Sequence, residues 1–142
     1  MNVLVPMDYS ELSNEALRTT LSLHPDADIT VLHVLDWHAS DIGPGGWGDS
    51  PGTFDEWLES AREHAEELFE DAREIAAEYD AEIDTDTAVG EDARKIVEYV
   101  ENNDVDMVII GSHGRSLTSR VLLGSTSETV ARRAPVPVLL VR

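Results

Sequence analysis

The 142 residues contain no cysteine. That excludes a disulfide framework and any thiolate zinc site. Lysine occurs once, at Lys95, outside any Gly-Lys-Ser/Thr context, so the phosphate loop of common NTPases is excluded as well. No apolar run approaches the roughly 20 residues that a membrane-spanning helix needs, and no basic-apolar leader opens the chain. The expectation is a soluble cytoplasmic protein with no membrane partner.

Positive charge is scarce. Ten Lys and Arg face 29 Asp and Glu, a formal net charge of −19. Nucleic-acid binding rests on Lys and Arg neutralising phosphates, so no nucleic-acid partner is expected. A surface this acidic suits strong salt, in which self-repulsion is screened, and the composition reads as that of a halophile. The length fits one domain, residues 1–142, able to bury a two-sided core unaided.

The few positive charges are not evenly spread. Residues 111–142 hold five arginines against Glu128 alone, a net of +4, while residues 1–110 hold five basic and 28 acidic side chains, a net of −23. The positive segment contains Gly111-Ser-His-Gly114-Arg-Ser-Leu-Thr-Ser-Arg-Val-Leu-Leu-Gly124-Ser125, attached to the apolar run Met107–Ile110. Glycine lets backbone N–H groups approach an anion without an obstructing Cβ, and a helix N-terminus offers further donors. Ser125-Thr-Ser-Glu128 has the spacing of a capping box that starts a helix immediately after Gly124. The segment reads as a phosphate cradle.

Hydrophobic periodicity supplies the frame. Asn2–Val5 reads as a buried strand, and Ser10 caps a helix carrying Leu12, Ala16, Leu17 and Leu21. Ile29–Leu35 is a second strand. Residues 37–53 hold five of the nine glycines and two of the six prolines, which predicts a long loop, a candidate cover. Residues 54–79 predict a helix with ten acidic side chains outside the stripe Leu58, Ala61, Ala65, Leu68, Ala72, Ile75 and Ala76. Ile83–Val89 reads as an edge strand, Ala93, Ile96, Val97 and Val100 as one face of a third helix, Asp106–Ile110 and Val138–Val141 as the last two strands. Strands alternating with helices predict an α/β fold, a doubly wound parallel sheet with helices on both faces and a ligand beyond the strands' carboxyl ends.

Gly111-x2-Gly114-x9-Gly124-Ser125 resembles the nucleotide-binding signature of the universal stress protein family. The likeness extends over the whole chain: Val5-Pro-Met-Asp8-Tyr-Ser10 after the first strand, His33-Val34 closing the second, Gly90 before the third helix, and the ending Pro-Val-Leu-Leu-Val. The resemblance implies a five-stranded sheet in the order 3-2-1-4-5, a homodimer through Val138–Val141, and bound ATP. It implies that Asp8 and the Val34 backbone meet adenine and ribose, with Pro6 and Met7 walling that side. The phosphates would rest on Gly111, His113, Gly114, Gly124, Ser125, Thr126 and Ser127. By their charge, Arg115 and Arg120 are candidate phosphate clamps.

Other readings stay open. Asp8 alternatively caps the first helix, Arg115 and Arg120 are alternatively surface charges, and His33 reads as a satisfied structural residue. Trp37, Trp47 and Trp57 either stack on a base or anchor the loop. Gly43-Pro-Gly45-Gly-Trp-Gly48 matches the dinucleotide pattern Gly-x-Gly-x-x-Gly, but it neither follows a strand directly nor opens a helix. No metal-ligand spacing links the histidines. The expected function is an ATP-binding stress-response module whose occupancy a protein partner reads, with no catalytic residue assigned. The alternatives are a slow ATPase or phosphotransferase using Mg2+ or Mn2+ between the phosphates, and a dimeric interaction protein working without nucleotide.

Overall fold

A computed structural model describes residues 1–37, 53–113 and 123–142. The interior of the glycine-rich loop and residues 114–122, which include Gly114, Arg115 and Arg120, lie outside the described residues. The elements run β1 (Asn2–Pro6), α1 (Glu11–Leu23), β2 (Asp28–Leu35), α2 (Phe54–Ala77), β3 (Asp84–Val89), α3 (Asp92–Asn102), β4 (Met107–Gly111), α4 (Ser125–Arg133) and β5 (Val138–Val141). All strand pairings are parallel, in the order β3-β2-β1-β4-β5.

Side-chain alternation assigns the two faces. Val3, Val5, Ile29, Val31, Leu35 and Ile109 point to the side covered by α1 and α2. Leu4, Leu32, Val34, Val108 and Ile110 point to the side covered by α3 and α4. The central strands are therefore apolar on both faces, as a sheet with helices on each side requires. The α3 face is the predicted one, Ala93, Ile96, Val97 and Val100 all being buried. The predicted α2 stripe holds in Ala61, Ala65, Leu68, Ala72, Ile75 and Ala76, but Trp57 and Phe69 join it, and Leu58 only packs on its margin.

Trp57 is 2% exposed and belongs to the core against α1 and the sheet. Its ring meets Trp37 edge-on, with centroids 5.0 Å apart. Trp57 therefore anchors rather than offering a face to a base. Trp47 lies outside the described residues.

Candidate functional site

The sheet splits where its strand order turns. β1 and β2 pair over five residues from Asn2↔Asp28 to Pro6↔Leu32, and β4 and β5 over four. Between β1 and β4 only Val3↔Met107 and Leu4↔Val108 are paired. The two strands part beyond Leu4, which leaves a crevice at their carboxyl ends, the place where open α/β sheets take ligands.

One wall is built by the segment after β1. Pro6 and Met7 are buried and Asp8 is half-buried. Asp8 Oδ1 accepts from the Ser10 N–H at 2.8 Å, forming a turn ahead of α1. The helix cap itself is Ser10, whose Oγ accepts from the Ser13 N–H at 3.2 Å. Ser13 Oγ donates back to the Asp8 carbonyl at 2.9 Å. Asp8 is thus fixed by its backbone and one carboxylate oxygen without being the cap residue.

Val34 lies on β2 two residues beyond Leu32, the last residue of β2 paired with β1. The Met7 N–H donates to the Leu32 carbonyl at 2.9 Å, while the Gly90 N–H donates to the Leu35 carbonyl at 3.0 Å. Even-numbered residues of β2 therefore direct their backbone groups towards β1 and odd-numbered ones towards β3. At Val34, β1 has already left the sheet, so its N–H and C=O face the crevice.

The opposite side is formed by the described ends of the β4–α4 connection, residues 111–113 and 123–127. The Ser112 N–H closes on the Val141 carbonyl and the Gly124 N–H on the Ser112 carbonyl, each at 2.7 Å. Gly111 and Gly124 sit where neighbours approach closely. A Cβ on Gly111 would lie 3.1 Å from Leu12 Cγ, and one on Gly124 would lie 3.1 Å from His113 Cα. Gly124 has φ −67°, open to any residue, so its role is packing rather than backbone freedom. The Gly111 contact with Leu12 also joins this wall to the first turn of α1, which brings the Asp8 and Gly111 ends of the site together.

The capping box expected at Ser125–Glu128 does not form. Gly124 occupies the cap position without a side-chain cap bond, Ser125 is already the first helical residue, and the Glu128 N–H goes to the Gly124 carbonyl at 2.9 Å. The box fails because it lies one residue too far along. Consequently the N–H groups of Ser125, Thr126 and Ser127, which precede the first intrahelical bond, have no partner among the described residues. Ser127 is buried and turns its hydroxyl inward, donating to the Gly111 carbonyl at 2.6 Å, so only its N–H remains for a ligand.

Sequence reasoning passed over Ser112. It is 3% exposed, and neither its Oγ nor the buried Nδ1 of His113 has a hydrogen-bond partner among the described residues. The available signal was strand alternation: Val108 and Ile110 face α3 and α4, and Ser112 continues that parity with a hydroxyl. Buried polar atoms without partners are costly. Together with open helix N–H groups and closely approaching backbone at Gly124, they fit an anion such as a phosphate. Among the described residues there is no group of three or more His, Asp or Glu that could hold a metal ion, and no helix long and apolar enough to cross a membrane.

The model of the universal stress protein family matches residues 1–142, and the chain belongs to that family. The universal stress protein YxiE of Bacillus subtilis is 31% identical over 144 residues, covering 99% of this chain and 97% of its own. Among solved structures, the universal stress protein UspA from Lactobacillus plantarum superposes with a TM-score of 0.80 at 24% identity, over 100% of this chain and 97% of that one. A universal stress protein from Archaeoglobus fulgidus in complex with dAMP superposes at 0.67 and 24% identity, over 100% and 98%. The order 3-2-1-4-5 expected from the resemblance is the order observed.

Proposed function

We propose that this protein binds an adenine nucleotide, ATP by preference, and acts as a regulatory stress-response module. The observation that carries the reading is the open N-terminus of α4 beside the buried Ser112 hydroxyl, which has no partner among the described residues, at the end of a β1–β4 ladder only two residue pairs long. The dAMP complex of a protein with this fold supports an adenine ligand.

In this reading the N–H groups of Ser125, Thr126 and Ser127 and the Ser112 hydroxyl receive the phosphates, with Gly111, His113, Gly114, Gly124 and Arg115 completing the cradle. Asp8 meets the ribose, the Val34 backbone meets the adenine edge, and Pro6 and Met7 form the apolar wall. ATP occupancy biases the conformation that a partner protein reads, a population shift that requires no bond to break. The protein works in the cytoplasm. β5 forms a sheet edge with half-buried apolar side chains, and a second copy covers it in a homodimer.

The test is to denature protein purified in molar KCl and identify released nucleotide by chromatography, with Gly114→Val alongside. The expected result is stoichiometric ATP or ADP, lost in the variant. ADP alone would favour slow hydrolysis with Mg2+ or Mn2+. An empty wild type that takes up no added ATP would overturn the reading and leave a nucleotide-independent interaction protein.

A further inference from the structure

The end of the β1–β2 ladder contains a substitution of one hydrogen bond for another. In the observed register the Leu32 carbonyl takes the Met7 N–H. The next rung of a parallel ladder would join the Val34 N–H to the Met7 carbonyl. That rung is absent: the Met7 carbonyl lies 2.8 Å from His33 Nδ1. A carbonyl only accepts, so the imidazole carries its proton on Nδ1 and donates. His33 is 2% exposed, and Tyr9 meets its ring edge-on with centroids 5.2 Å apart. The ring is thus held in place by burial and by an aromatic neighbour.

We infer that His33 is a positioning residue for base recognition: by drawing the Met7 carbonyl towards the α1–α2 face and out of line with the sheet it ends the ladder one rung early and presents the Val34 N–H to the crevice. The inference rests on the nucleotide reading above and deepens it, since it concerns the choice of base. A backbone N–H next to its own C=O offers a donor beside an acceptor. Adenine answers with an acceptor at N1 beside the N6 amino donor. Guanine offers a donor at N1 beside the O6 acceptor, and so mismatches at both atoms. The geometry selects adenine only while the Val34 N–H stays out of the ladder.

The experiment has one readout on the free protein and one on binding. Amide exchange at Val34 is compared between wild type and His33→Phe, which keeps an aromatic ring but removes the donor, and His33→Asn, whose side-chain amide restores one. ATP and GTP affinities are measured on the same three proteins. In His33→Phe the Val34 amide is expected to become about tenfold more protected as it joins the Met7 carbonyl. ATP affinity is expected to fall about tenfold, with GTP affinity unchanged, as the loss of one hydrogen bond predicts. His33→Asn is expected to recover both. Unchanged Val34 exchange or an unchanged ATP/GTP ratio in a folded His33→Phe would overturn the inference. Should that variant not fold, a wild-type Val34 amide as protected as that of Leu32 would overturn it alone. A wild type that binds no adenine nucleotide defeats the functional reading instead, and the exchange comparison still decides what His33 does to the ladder.

Discussion

The Ser127 hydroxyl donates to the Gly111 carbonyl across 2.6 Å, tying the first turn of α4 to the last residue of β4. The bond is buried, so its loss leaves the Gly111 carbonyl without that partner. Ser127→Ala is expected to cost about 1–2 kcal/mol. Urea denaturation should show a lower midpoint with an unchanged slope. Nucleotide affinity should fall as well, because the same bond sets the position of the helix N-terminus.

Gly111 and Gly124 should respond unequally to a methyl group. At Gly111 the nearest atom is the Leu12 side chain, which can rotate, whereas at Gly124 it is the His113 backbone. Gly124→Ala is therefore expected to destabilise by about 1–3 kcal/mol, the usual range for overpacking, and Gly111→Ala by less. Thermal melts of the two variants side by side provide the check.

Gly90 presents a different case. Its φ of +147° is one that L side chains rarely adopt, and an added Cβ would also meet Lys95 Cε at 2.6 Å. Two causes of strain coincide, and they can be separated. Gly90→Ala is expected to lose about 1–3 kcal/mol through the backbone. The double variant with Lys95→Ala should remain nearly as unstable, since the flexible lysine tip can move aside in any case. Full recovery in the double variant would assign the cost to the lysine contact.

The Tyr99 phenol is pushed up to about 12, first by burial, then by its hydrogen bond to Asp86 at 3.1 Å, and then by the negative charges of Asp86 and Asp84. The folded state thus holds this proton more tightly than the unfolded chain. Its contribution to stability is complete below the ordinary tyrosine value near 10 and is lost as pH rises towards about 12. An ultraviolet titration of the phenols should lose its component near 12 in Tyr99→Phe. The variant should also lack that part of the alkaline destabilisation.

Salt should stabilise the fold. With a net charge of −19, repulsion among surface carboxylates acts over a screening length that falls from about 10 Å at 0.1 M salt to about 3 Å at 1 M. The melting temperature is expected to rise across that range in KCl. A flat or falling response would mean that the acidic face of α2 is not under electrostatic stress.

Much of the architecture was legible because local pattern and tertiary demand agree. Runs such as Val3–Val5 and Val108–Ile110 have room only between two helical layers, and the stripe Ala93, Ile96, Val97 and Val100 admits one buried face. The discrepancies arose where contacts distant in sequence decide. Trp57 has the same helical spacing as the predicted stripe, yet its place beside a glycine-rich loop made it look like part of a cover. Ser125-x-x-Glu128 has a capping box's spacing, but Gly124 reaches the Ser112 carbonyl first and takes the cap position.

The sequence by itself determined the alternation of elements, the two-sided apolar core, the sparse positive charge gathered after residue 110 and the glycine spacing, because each is a property of neighbours along the chain. Tertiary structure alone decided that the β1–β4 ladder stops after two pairs, that Gly111 lies against Leu12 and Gly124 against His113, that the Ser112 hydroxyl has no partner among the described residues, and that His33 takes the Met7 carbonyl. Those outcomes depend on how closely separate segments approach one another. The approach is fixed by the packing of helices against a twisted sheet, which no local pattern of residues encodes.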